Sequence, residues 1–214
     1  MRQSMSEPPA EVFEAALTLR MAVVAHLDGR FEDAEEHFHA ADNPIIRLYN
    51  DDAMGRGWHK RHRARMAACS LPHLQKSERP VPRMPGSELR AALIARDRLQ
   101  CRFCRVPLIY PAVRKVATAL YPEAVRWGSA LDDHAGFKAL WLQFDHILPN
   151  ARGGATSLEN MVVACAPCNY ARMNYTLDEA GLLDPRTIAP EPLAGFGTWD
   201  GLVKLLSAKS VGNM

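Results

Sequence analysis

Apolar residues recur at spacings of three and four from Glu11 to His26. Val12, Ala15, Ala16, Leu19 and Val23, with Leu27 just beyond, predict an amphipathic helix that Asp28-Gly29 ends. A second helix over Phe31 to Ala41 sets Phe31, Ala34, Phe38 and Ala41 on one face, so residues 8–41 read as a helical hairpin. No second copy follows, which argues against a helical repeat array. The pattern lapses over residues 71–86, where Pro72, Pro80, Pro82 and Pro85 forbid helix and central strand and predict a linker. Helical periodicity returns from Ser87 to Leu99 through Leu89, Ala92, Leu93 and Arg96, with Ser87 as the expected N-cap. Trp141 to Leu148 then alternates as a strand ending at Pro149, and Gly153-Gly154 mark a loop. Met161 to Ala164 is a short apolar strand, and Cys168 to Met173 opens a helix. A short last helix is expected over Trp199 to Leu206.

Composition changes this picture little. Of 214 residues, 48% are hydrophobic, enough for a real core. There is no apolar run long enough for a transmembrane helix, and the apolar stretch at Met21 to Ala25 lies beyond acidic residues with no basic segment before it. A cytoplasmic protein with no membrane partner is therefore expected.

Charge changes it more. The net charge of +2 is an average over unlike segments. Residues 1–54 hold 4 Lys+Arg and 11 Asp+Glu, net −7; residues 55–126 hold 16 and 4, net +12; residues 127–214 hold 6 and 9, net −3. Such a basic centre suits a polyanion. Its densest part runs from Arg56 to Arg65, where Arg56, Lys60, Arg61 and Arg63 are candidate backbone contacts for nucleic acid.

The cysteines carry the first chemical signal. Four of the five form two CxxC pairs, Cys101/Cys104 and Cys165/Cys168, leaving Cys69 as a small apolar filler. Paired thiolates on tight turns are the usual way to build a tetrahedral zinc site, and four protein ligands make such a zinc structural. Residues 105–164 separate the pairs, so a functional element must sit between them.

That element contains Asp145-His146-Ile147-Leu148-Pro149, the Gly153-Gly154 loop, Leu158-Glu159-Asn160 and, overlapping the second knuckle, Cys168-Asn169. With Arg96-Asp97 ahead of the first knuckle, these residues resemble the HNH endonucleases, the zinc-knuckle branch of the ββα-metal nucleases, over roughly residues 87–175. The signature positions fall on His146, Asn160 and Asn169. Many members have His at the last of these, and the chain is similar to an HNN subset there. The stretch before Asp145 is longer than usual, and residues 111–140 read as an insertion of one or two helices.

The resemblance implies an α+β fold in which a ββα-metal core is stapled by a four-cysteine zinc site. A mostly helical N-terminal region (1–70), a linker (71–86) and a C-terminal extension (176–214) flank the nuclease domain (87–175). It implies a phosphodiesterase acting on nucleic acid, with double-stranded DNA the expected partner. His146 would be the general base, an imidazole able to take a proton from water at neutral pH. Asp145 and Asn169 would offer oxygen ligands to a catalytic Mg²⁺ or Mn²⁺. Asn160 would fix the loop or orient His146, and Arg152 and Arg172 would clamp phosphate. The rival reading is a zinc-stabilised nucleic-acid-binding module without catalysis, for which Asp145 and His146 together have no use.

Overall fold

The computed structural model describes residues 1–55, 71–128 and 132–207. Its architecture is α+β. Helices α1 (Ala10–Leu27) and α2 (Phe31–Ala40) form the expected hairpin. A third helix, α3 (Pro44–Met54), follows where the sequence reading placed none. Its start was legible, because Asn43 caps Ile45 N–H at 2.7 Å and Pro44 takes the first position, where a missing N–H costs nothing.

Helix α4 (Ser87–Asp97) starts with Gly86, not Ser87, as its cap, and no side chain caps it. The insertion supplies α5 (Pro111–Leu120) and α6 (Ala135–Ala139). Strands β1 (Leu142–His146) and β2 (Met161–Cys165) pair antiparallel, with Leu142 opposite Cys165 and His146 opposite Met161. Helix α7 (Ala166–Arg172) leaves β2 without a loop, and α8 (Leu177–Ala180) follows. The expected last helix is only a 3₁₀ turn, Val203–Ser207. None of the described helices is long and apolar enough to cross a membrane.

One apolar core runs through the N-terminal helices, the insertion and the ββα unit. Tyr121, just past α5, meets His26 Nδ1 at 2.6 Å and Phe38 ring to ring at 4.9 Å. His134 caps α6 by accepting Phe137 N–H, and its Nε2 meets the Phe38 carbonyl at 2.8 Å. Asp133 accepts Gly128 N–H at 2.9 Å, so Asp133 and His134 serve as turn and helix cap. Asp42 and Asn50 bind the backbone of Ala135 from the other side. The N-terminal region is thereby packed as the second face of the insertion.

The placing of the two knuckles rests on Asp97. It is 1% exposed, accepts Val163 N–H at 2.9 Å and binds Arg96, whose guanidinium also reaches the carbonyls of Leu158 and Met161. This ties α4 to β2 and to the loop before it, and sets the first knuckle beside the second.

Residues 71–86 do not run free as a linker would. Leu74 N–H donates to the Ala151 carbonyl at 2.8 Å, and Asn150 Nδ2 donates to the Pro80 carbonyl at 2.8 Å. Pro85 is buried, and its carbonyl accepts from Arg90 on α4. Proline removes a donor but keeps its carbonyl, so a Pro-rich stretch can still dock as an acceptor.

Candidate active site and metal centre

The four cysteines come together as expected. Their sulfur atoms all lie within 4.8 Å of one another, and Cys104 Sγ and Cys165 Sγ are 3.5 Å apart. Tetrahedral zinc with bonds of about 2.3 Å needs sulfurs about 3.8 Å apart, so the cluster fits a metal ion of that kind. Cys101 and Cys104 sit on the turn after α4; Cys165 closes β2, and its sulfur faces Cys168 N–H at the start of α7. Burial pushes every thiol here up, but hydrogen bonds with the sulfurs of Cys104, Cys165 and Cys168 draw Cys101 well below its ordinary value.

Beside this cluster a pocket of about 530 Å³ is lined by Asp145, His146 and Asn169, along with Asn150, Tyr170 and Asn174. Asp145 and His146 close β1, and Asn169 lies on α7. The ββα turn therefore brings three of the expected site residues to one cavity. The side chain of Asn169 has no hydrogen-bond partner among the described residues. His146 Nε2 meets Thr156 Oγ1 at 2.9 Å, which leaves Nδ1 as its only ring nitrogen without a partner among the described residues. Burial, and then the guanidiniums of Arg172 and Arg83, lower its pKa to about 4. The imidazole is neutral at pH 7 and able to accept a proton.

Asn160 is a brace. Its Oδ1 accepts Leu148 N–H at 2.9 Å, its Nδ2 donates to the carbonyls of Leu148 and Ala155, and its own carbonyl accepts Ile147 N–H. All of its side-chain hydrogen bonds go to the backbone of the loop that follows His146. Gly153 takes a φ of 91°, which L side chains rarely adopt. Gly154 passes so close to the Leu148 carbonyl oxygen that a Cβ there would lie 1.7 Å from it.

Two expected phosphate clamps are corrected by burial. Arg172 is 1% exposed and grips Asp145 with both arms, Nη2 to Oδ1 at 2.5 Å and Nε to Oδ2 at 3.1 Å. It also donates to the carbonyls of His146, Ile147 and Tyr175. Arg152 is buried against Glu179, Nη2 to Oε2 at 3.4 Å, and donates to the Asn174 carbonyl. Neither can meet a polyanion, because each is already neutralised inside the protein. Burial raises the pKa of Asp145, and the Arg172 guanidinium works against that rise. Arg56, Lys60, Arg61 and Arg63 lie outside the described residues, as does Cys69.

Sequence reasoning missed Thr156, which carries no motif of its own. It also missed Arg79 and Arg83, which line the pocket from the Pro-rich segment. Their signal was basic charge within a stretch dismissed as a linker.

Residues 135–181 match the family model for HNH endonuclease, a span that holds Asp145, His146, Asn160, Asn169 and the second cysteine pair. No curated protein and no solved structure matches the chain.

Proposed function

With residues 135–181 an HNH endonuclease domain, we propose that the chain is a metal-dependent endonuclease that hydrolyses phosphodiester bonds in DNA. The observation that carries this reading is the meeting of Asp145, a neutral His146 and Asn169 in one pocket. Nδ1 of His146 takes the proton from the attacking water, while Thr156 holds Nε2 and with it the ring and its tautomer.

The donor set suits a hard divalent cation. Asn169 offers a neutral amide oxygen. Asp145 offers a carboxylate whose two oxygens each accept one bond from Arg172 and keep a further lone pair. Arg172 thereby fixes the orientation of the carboxylate from behind. Mg²⁺ or Mn²⁺ bound there supplies Lewis-acid stabilisation of the leaving oxygen. Cys101, Cys104, Cys165 and Cys168 hold a structural zinc that keeps α7, and so Asn169, in place against β1. Arg56, Lys60, Arg61 and Arg63, in the densest basic stretch of the sequence, add salt-dependent affinity for the DNA backbone.

The test is nicking of supercoiled plasmid by purified protein with Mg²⁺ or Mn²⁺ added. Cleavage that requires the added cation is the expected result. A gel shift without cleavage under either cation would replace this reading with the binding-only module.

A further inference from the structure

The pocket has a wall that the 135–181 match does not reach. Arg79, Arg83 and Met84 form it from the Pro-rich segment, while Asn169, Tyr170 and Asn174, inside the match, line the pocket from α7 and the turn beyond. This wall is anchored at three points. Leu74 binds Ala151, Pro80 accepts from Asn150, and Pro85 accepts from Arg90, whose guanidinium lies 5.8 Å above the Phe144 ring on β1. The partners on the far side belong to the 3₁₀ turn after β1, or to the helix packed on β2. The wall is therefore positioned by the same elements that position Asp145 and His146.

Its two arginines differ from Arg152 and Arg172. Arg79 is half-buried and spends only Nε, on the Leu74 carbonyl at 3.2 Å; Arg83 is exposed. Neither has a carboxylate partner among the described residues. Two guanidiniums without counter-ions, at the rim of a pocket floored by a hydrolytic set, call for an anion that extends past the reacting centre. A phosphodiester backbone is such an anion, and the fork of a guanidinium matches phosphate oxygens in pairs. We propose that residues 71–86 form the backbone-binding wall of the site, with Arg79 and Arg83 holding DNA phosphates that flank the scissile one. This rests on the nuclease reading of the pocket. It assigns to the Pro-rich segment the clamping that burial denies to Arg152 and Arg172.

The test uses the full chain and two readouts. Affinity for a fluorescein-labelled DNA duplex is measured over a salt series without added divalent cation, which keeps binding separate from catalysis. Arg79→Ala and Arg83→Ala should each weaken binding about fivefold, and the double variant should lower the salt slope by about one per arginine. Arg79→Lys and Arg83→Lys keep the charge but not the fork, so they should restore the salt slope and only part of the affinity. Lys76→Ala, an exposed charge in the same segment that does not line the pocket, should change it less than about twofold.

In steady-state cleavage of an oligonucleotide duplex, Arg79→Ala, whose guanidinium is not among the groups that shift His146, should raise KM more than it lowers kcat. Duplex affinity within twofold of wild type in the double variant would overturn the proposal. So would a fall in kcat with KM unchanged in Arg79→Ala, or a Lys76→Ala effect equal to that of Arg83→Ala. Arginine-dependent binding without any cleavage by the wild type would uphold the wall and discard the nuclease reading.

Discussion

Thr156 does its work through one hydroxyl, 2.9 Å from His146 Nε2. On the nuclease reading it accepts from Nε2–H, which leaves the lone pair on Nδ1. Thr156→Val keeps the shape and removes that preference, so kcat should fall about tenfold or more with KM little changed, and Thr156→Ser should recover most of the loss. Steady-state kinetics on an oligonucleotide substrate read both. Equal falls in kcat for the Val and Ser variants would show that the hydroxyl orients nothing. Single residues were legible in the sequence where their chemistry is unusual: Asp145, His146, Asn169 and the cysteine pairs all meet where the spacing implied. Arg152 and Arg172 were misread because an arginine gives no sign, in sequence, of which side of the surface it occupies. The buried partners that decide it, Glu179 and Asp145, lie 27 residues away in each case.

At the scale of elements, the loop between β1 and β2 is held by its backbone. Gly154 lies against the Leu148 carbonyl, and Asn160 closes the same loop from the other side. Gly154→Ala must push that carbonyl away, which should cost about 2 kcal/mol or more, read as a lowered midpoint in thermal or urea unfolding. An unchanged midpoint would mean that the loop is not packed as described. The strands and α7 were legible to within a few residues because periodicity and Pro149 mark them. Helix α3 was passed over despite its Asn43-Pro44 start, since Ile45, Ile46, Leu48 and Tyr49 invite no simple stripe. The Pro-rich segment was legible as non-helical but not as docked, because docking depends on its carbonyls, and every residue has one.

Over the whole molecule, the four sulfurs join the turn after α4 to the start of α7, and the buried N-terminal helices cover the insertion beside them. Zinc is expected in about equimolar amount. Its removal by a chelator, or Cys101→Ser, should lower Tm by about 10 °C or more, because metal binding here is part of the folding free energy. Unaltered melting after zinc loss would contradict the structural role. The uneven charge along the chain also takes a more definite form: two of its basic residues, Arg79 and Arg83, stand at the pocket itself. The most direct test of the central claim is the rate of plasmid cleavage by His146→Ala beside wild type, under the same added Mg²⁺ or Mn²⁺ and with zinc content measured on both. The loss of a general base should slow cleavage about 100-fold or more while zinc content stays at the wild-type level. Cleavage at the wild-type rate by His146→Ala would contradict it.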